Sequence, residues 1–147
     1  MKISNFKKPM TAALAAFGAV LLAGCDAGGS GEGYEAAAAL DPVLAEPQVG
    51  DLWAAKLDEF SQAEFGNPGD PLEDAYGLLK VTQVSDDRVI VITEVGAWPM
   101  ASGTTEELRG NLSAITWDES EEIPINRTDI QDLVASGYIL ETRRMAP

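Results

Sequence analysis

Two runs of alternating apolar and β-branched residues form the clearest pattern in the chain. Tyr76–Val84 and residues 88–95 are separated only by Ser85-Asp86-Asp87, which is typical of a β-hairpin. The second run contains Val89-Ile90-Val91-Ile92, which is apolar on both sides of a strand. We therefore expect this strand to lie centrally, with both of its faces covered.

Three more segments carry a strand pattern. In residues 51–57 alternate positions are apolar, and residues 112–117 repeat this alternation. Pro124 lies in a short apolar run and has no backbone N–H to donate, so we expect that run to be an edge strand or an extension. Residues 138–140 are predicted to form the closing strand.

Two short helices are predicted from capping boxes, in which a threonine is followed three residues later by Glu or Gln. Thr104 with Glu107 predicts the start of the first, and Thr128 with Gln131 predicts the start of the second. Gly137 is expected to end the second helix in a left-handed C-terminal cap.

The predicted elements belong to one small domain, residues 49–147. Fewer than 100 residues are enough to build one hydrophobic core but not two. Residues 60–75 include a cluster of Gly, Pro, Asn and Asp, which predicts a long surface loop without regular structure. The expected fold is mainly β (α+β): a small antiparallel barrel or curled sheet of five to six strands with two short helices.

The first 24 residues follow a different pattern. Three lysines precede an apolar run from Thr11 to Leu22, the charged-then-apolar order of a secretory signal peptide. The run is shorter than the ~20 apolar residues that span a bilayer, which argues against an uncut transmembrane anchor. It ends in Leu22-Ala23-Gly24-Cys25, and on these residues the chain resembles bacterial lipoprotein precursors. An ordinary secretory signal with a cysteine nearby by chance is the other interpretation.

The resemblance to lipoprotein precursors implies that residues 1–24 are removed and that the thiol of Cys25 receives a lipid such as palmitate. Cys25 is the only cysteine in the chain, so no thiol is left for a disulfide, a zinc site or a nucleophile. Residues 25–48, rich in Gly and Ala, are then a flexible linker. The domain would face the periplasm in the cell envelope; Asp26 resembles the inner-membrane signal of enteric lipoproteins, but inner and outer membrane both stay open.

Removal of the signal peptide makes the charge more negative. It takes three of the 10 basic residues and none of the 24 acidic ones, which leaves a formal net charge of −17. Such a charge opposes binding to nucleic acid and favours basic partners, with an association that weakens in salt. A surface that simply keeps an envelope protein soluble is the alternative explanation.

The sequence lacks most residues that carry chemistry. It contains no histidine, which excludes the Ser-His-Asp triad, histidine zinc sites and the commonest general base. Carboxylates remain, but no spacing marks a buried acid beside a second one, as a glycosidase requires. The acids of residues 70–74 and 118–122 lack the spacing of a calcium loop. We predict no cofactor, no metal, no small-molecule substrate and no enzymatic activity.

The candidate partner-binding residues are Trp98, Pro99 and Met100, which follow a strand in a loop flanked by glycines. Tryptophan and methionine are enriched at the centres of protein interfaces. Alternatively, Trp98 folds back to plug an open end of the barrel.

A weaker resemblance covers residues 49–147. Gly50-Asp51-Leu52-Trp53 and Tyr76-Gly77-Leu78-Leu79-Lys80-Val81 are similar to segments of small β domains among bacterial immunity and envelope proteins of unknown function. The resemblance implies an anchored protein that captures an antibacterial effector. We therefore predict a membrane-anchored, acidic, non-catalytic lipoprotein that binds a basic protein partner, for example as an inhibitor or immunity factor. The alternatives are a structural or assembly subunit of an envelope complex and a carboxylate hydrolase of wall glycans.

Overall fold

The computed structural model describes residues 39–146. The predicted signal peptide, Cys25 and residues 25–38 of the predicted linker lie outside these residues. The described elements, in chain order, are α1 Pro42–Ala45, β1 Leu52–Lys56, β2 Gly66–Asn67, β3 Asp70–Pro71, β4 Tyr76–Val84, β5 Arg88–Glu94, α2 Ala101–Arg109, β6 Trp117–Asn126, α3 Ile130–Ala135 and β7 Ile139–Arg143.

Five of the strands form one antiparallel sheet in the order β6-β5-β4-β1-β7, and β2 and β3 form a separate two-residue ribbon. Within the described chain β6 and β7 are the two edges, so the sheet stays open and is not a barrel. The register shifts within three of the four strand pairs, at β1–β7, β4–β5 and β5–β6. Such irregularities bend a sheet and increase its twist. The predicted mainly β fold with a curled sheet is confirmed.

The predicted hairpin is confirmed almost to the residue as β4 and β5. Ser85 makes the turn, since its backbone N–H donates to the carbonyl of Arg88 at 2.9 Å. The prediction that β5 lies inside the sheet with both faces covered is confirmed: β5 lies between β6 and β4, and Val89, Val91 and Ile92 are buried. Pro124 lies in the edge strand β6, as its missing N–H predicted.

The strand predicted over residues 112–117 is wrong. Leu112–Ala114 is a 3-10 turn, in which the Asn111 side chain accepts a hydrogen bond from the Ser113 N–H at 3.0 Å. The turn lets Leu112 and Ile115, three residues apart, pack on the same side of the sheet. The fourth strand of the sheet instead begins at Trp117 and includes the acidic run. The register jumps from Thr93 opposite Asp118 to Val91 opposite Ile123, so the acids between them bulge out of the ladder.

Neither capping box forms. Helix α2 begins three residues before Thr104, which is fully buried inside the helix, and its N-cap Met100 makes no side-chain cap. Helix α3 is preceded by the 3-10 turn Arg127–Asp129, and its N-cap Asp129 likewise makes no side-chain cap. Gly137 ends α3 with a φ of 76°, the left-handed cap that was predicted.

Both faces of the sheet are covered. On one face a large core, in which Trp53 is fully buried, is closed by Ile130 of α3 and Leu44 of α1. On the other face α2 packs through Leu108 onto Leu52, Ala54 and Leu78. Strand β1 therefore buries alternate residues on both sides, whereas its sequence pattern predicted one apolar face. The sheet is a middle layer, with α2 alone above it and α1 and α3 below.

The ends of the described chain are tied to the sheet. Leu44 and Pro47, which fall within the predicted linker, are buried, so packing begins several residues before Val49. Arg144 donates two hydrogen bonds, each of 2.9 Å, to the carboxylate of Asp51, which is 1% exposed. This ion pair fastens the C-terminal segment to the start of β1.

Within residues 39–146, none of the helices is both long enough and apolar enough to cross a membrane.

Candidate functional site

The candidate site is built around Glu94, the last residue of β5. Glu94 is in phase with Ile90 and Ile92 along the strand, so it points to the face of the sheet that α2 covers. The residue is 5% exposed. A carboxylate is therefore placed where the strand pattern would put another isoleucine.

The neighbouring strand β4 makes room for this carboxyl group. The backbone N–H of Leu78 donates to Glu94 Oε1 at 2.7 Å. A Cβ atom at Gly77 would lie 2.6 Å from the same oxygen and 2.5 Å from Leu57 Cδ1. The absence of a side chain at position 77 therefore leaves space for the ends of both Leu57 and Glu94.

Trp98 forms the opposite wall of the site. Its backbone N–H and carbonyl both bond to Tyr76, at 2.7 and 2.9 Å, which ties the loop after β5 to the start of β4. Its indole ring lies against Gly103 of α2, where a Cβ atom would approach ring atoms to 2.7 Å. Its Nε1–H donates to Glu107 Oε2 at 2.7 Å. The ring is thus held between the loop and the helix.

Glu107 of α2 brings a second carboxyl group to the pocket that Glu94 lines, near enough to affect the pKa of Glu94. Burial is the main cause that raises the pKa of Glu94, and the nearby Glu107 raises it further, whereas the Leu78 N–H opposes the change. The resulting pKa of Glu94 is about 8. Near neutral pH, Glu94 is therefore mostly protonated and can donate its proton to a neighbouring oxygen.

A pocket of about 190 Å³ opens to solvent between these groups, lined by Glu94, Gly96, Ala97, Trp98 and Glu107. Among the described residues, no Lys or Arg lies within ion-pair distance of Glu94 or Glu107. Asp51, the other buried carboxylate, has Arg144 as its partner. The pocket is thus an electronegative opening without a cation of its own.

The structure places the three candidate partner-binding residues on the surface beside this pocket. Trp98 is 44% and Met100 64% exposed, and Pro99 between them is also exposed. The alternative in which Trp98 plugs a barrel is wrong, because the sheet is open and the ring lies outside it against α2. Cys25, the predicted lipidation site, lies outside the described residues.

The sequence interpretation missed both acids of the site. Glu107 was taken for half of a capping box, and Glu94 lay inside the strand predicted over residues 88–95 without being singled out. One signal was available for Glu94: alternation in β5 puts it on the same side as Ile90 and Ile92. No sequence pattern indicates that Glu107 meets it, because this contact depends on where α2 lies.

The two acidic segments considered for calcium have other contacts. Asp74 pairs with Lys56 at 2.9 Å. Glu121 accepts hydrogen bonds from the side chain of Ser61 and, at 3.0 Å, from the backbone of Gln62. In the part of the chain that the structure describes, no three acidic or thiol side chains are grouped closely enough to hold a metal ion.

Comparison with protein-family models, with curated proteins and with solved structures gives no match to this chain.

Proposed function

We propose that this chain is a lipid-anchored, acidic protein of the bacterial cell envelope, without catalytic activity, that binds a basic protein partner. The contact surface is the loop Trp98-Pro99-Met100 together with the adjoining carboxyl groups of Glu94 and Glu107. Cys25 carries the anchor. One such role is that of an inhibitor or immunity factor, which binds a basic antibacterial effector directed at the cell wall and blocks it.

The observation that carries the proposal is the position of the exposed loop. Trp98 exposes a large apolar side chain in the same pocket as two carboxyl groups that have no basic partner among the described residues, and Met100, two residues further on, is also exposed. Anchor residues of interfaces are commonly aromatic, and charge complementarity selects the partner and accelerates its approach. The net charge of −17 after signal removal acts in the same direction over a longer range.

Site-directed photo-cross-linking tests the contact surface in growing cells. A photoreactive amino acid replaces Met100 in one strain and Gln131, an exposed residue of α3, in a control strain. We expect position 100 to cross-link to one basic envelope protein. In a wash series from about 50 to 500 mM salt, the uncross-linked complex should dissociate, since exposed charges are screened. Equal cross-linking from both positions, or none from position 100, contradicts the proposal.

The anchor is tested separately with labelled palmitate. We expect the wild-type chain to incorporate the label and to remain with the membrane fraction, whereas Cys25→Ser should do neither. If the Cys25→Ser chain carries no label, has lost residues 1–24 and still remains in the membrane fraction, a lipid on Cys25 is not what anchors the protein.

A carboxylate hydrolase is the second candidate, because Glu94 has the raised pKa that a general acid requires. The geometry is less favourable to it. Retaining and inverting glycosidases hold their two carboxyl groups about 5 Å or more apart, on either side of a sugar ring. Glu94 and Glu107 instead line one pocket of about 190 Å³, which is small even for an ordinary small-molecule site. Turnover of wall glycans by the wild-type chain, lost in Glu94→Gln, would favour this candidate over the first.

A further inference from the structure

The carboxyl group of Glu94 is buried at the end of β5, and among residues 39–146 no Lys or Arg lies within ion-pair distance of it. Burial of an unpaired carboxylate is costly, and proteins usually pair it or neutralise it. This chain pairs Asp51 with Arg144 but leaves Glu94 without a cation among residues 39–146. A leucine or glutamine in the place of Glu94 would avoid the cost.

Hydrogen bonds within the chain already orient both carboxyl groups of the site. The Leu78 N–H orients one oxygen of Glu94, and Trp98 orients Glu107. Gly77 and Gly103 leave the close approaches that these positions require. A preorganised site loses less conformational entropy when it binds.

We propose that the pocket between Glu94, Glu107 and Trp98 receives one basic side chain, a lysine or an arginine, of the protein partner. The cationic head donates hydrogen bonds to the two carboxyl groups. The aliphatic part of the side chain lies against the indole ring of Trp98. This inference rests on the proposed function and specifies where the partner's charge is recognised.

The size and chemistry of the pocket favour a side chain over a free ligand. At about 190 Å³ it is smaller than the ~300–1,000 Å³ typical of small-molecule sites. Its carboxyl groups disfavour anions, and an aromatic face beside them stabilises a cation. Met100 and Pro99, exposed next to the pocket, offer apolar surface that a macromolecular partner covers and a small ion does not.

Binding of the cation changes the protonation of the site. Glu94 has a raised pKa when the pocket is empty, with the Glu107 carboxyl facing it from α2 and the Leu78 N–H from β4. A cation favours the charged form, so binding releases a proton from Glu94 to solvent. The affinity for a basic side chain should therefore increase as the pH rises towards about 8.

The full chain, purified in detergent with its tryptophans labelled with ¹⁵N in the indole ring, is titrated with three probes at about pH 8.5. The probes are N-acetyl-lysine methylamide, N-acetyl-arginine methylamide and the uncharged N-acetyl-norleucine methylamide. Trp98→Phe assigns the Trp98 indole signal. We expect a saturable shift of that signal with a charged probe, and an affinity at least about tenfold lower for norleucine, as expected when an ionic contact of ~1.4 kcal/mol or more is missing.

Two variants decide whether the pocket is responsible. Glu94→Gln keeps the size and the hydrogen bond from Leu78 but removes the charge, and it should weaken binding of the charged probe about tenfold. Glu106→Gln, one residue from Glu107 and exposed, removes a charge outside the pocket and should bind as wild type does. Equal affinities for the lysine and norleucine probes, or unchanged binding by Glu94→Gln, would overturn the inference.

The same variants separate this inference from the proposed function. If position 100 cross-links to a basic partner equally well in wild type and Glu94→Gln, the protein binds that partner but the pocket does not receive its charge. If position 100 cross-links to no partner in wild type, the proposed function fails, whatever the probes do.

Discussion

Replacement of the buried acid in Glu94→Gln should change how the stability of the fold depends on pH. In the unfolded chain this carboxyl group loses its proton near pH 4.5, whereas in the folded chain it keeps the proton until about pH 8. The folded state therefore binds more protons than the unfolded state between these values. The contribution of Glu94 to the free energy of unfolding must therefore decrease as the pH rises through this interval.

The magnitude follows from the same interval. A difference of one bound proton changes the free energy of unfolding by about 1.4 kcal/mol per pH unit. From pH 4.5 to about 8 the upper limit is thus about 5 kcal/mol, and water at the open mouth of the pocket reduces it to about 2–3 kcal/mol. Glu94→Gln has no proton to lose, and its amide oxygen still accepts from Leu78. It should match the wild type within about 1 kcal/mol at pH 5 and exceed it by about 2–3 kcal/mol at pH 9.

Urea unfolding followed by tryptophan fluorescence, at pH values from about 4 to 9, gives both stability curves. When the wild-type curve is subtracted from the variant curve, the contributions of the other acids to the free energy of unfolding cancel, because those acids titrate alike in both chains. Glu106→Gln is the control, because it removes an exposed acid of α2 that does not line the pocket and should give a flat difference curve. A flat curve for Glu94→Gln as well, or a variant that loses stability at high pH, would refute the assignment of a buried, neutral carboxyl group.

Three further substitutions test the packing that builds the site and closes the fold, each by urea unfolding. Gly77→Ala should destabilise by about 1–3 kcal/mol, since its Cβ would lie 2.5 Å from Leu57 Cδ1; unchanged stability would show that this space is not tightly filled. Arg144→Met should cost about 3 kcal/mol because Asp51 stays buried without its cation, and stability equal to wild type would mean that the ion pair is dispensable. Gly137→Ala should cost about 1 kcal/mol at its φ of 76°, whereas no loss would argue against the left-handed cap.

Local patterns predicted the parts of the fold whose cause is local. The β4–β5 hairpin follows from two β-rich runs and a short polar turn, and the end of α3 follows from a glycine that tolerates positive φ. Pro124 indicated an edge strand because a missing N–H is a property of one residue. These features need no knowledge of the rest of the chain.

The predictions that were wrong concern segments shaped by distant contacts. Thr104 resembles a helix cap, but α2 begins earlier, and Thr104 is buried within it against the sheet. Residues 112–117 alternate like a strand, but Leu112 and Ile115 reach the core through a 3-10 turn. In both cases packing against the sheet decided between local conformations of similar energy.

The sequence pointed to the loop residues of the candidate site but not to its two acids, and the position of the site in the fold explains this difference. Trp98 and Met100 were identified because tryptophan and methionine in a loop are typical of the centres of protein interfaces. Glu94 and Glu107 are ordinary residues whose chemistry arises only when α2 returns over the end of β5 and holds two carboxyl groups together. The loop that contains Trp98 is the connection between those two elements. Trp98 lines the same pocket as Glu94 and Glu107 and donates a hydrogen bond to Glu107. We therefore expect a partner that contacts the exposed tryptophan to lie over the acids as well. Apolar contact and charge recognition should be lost together when the Trp98–Glu107 hydrogen bond is removed.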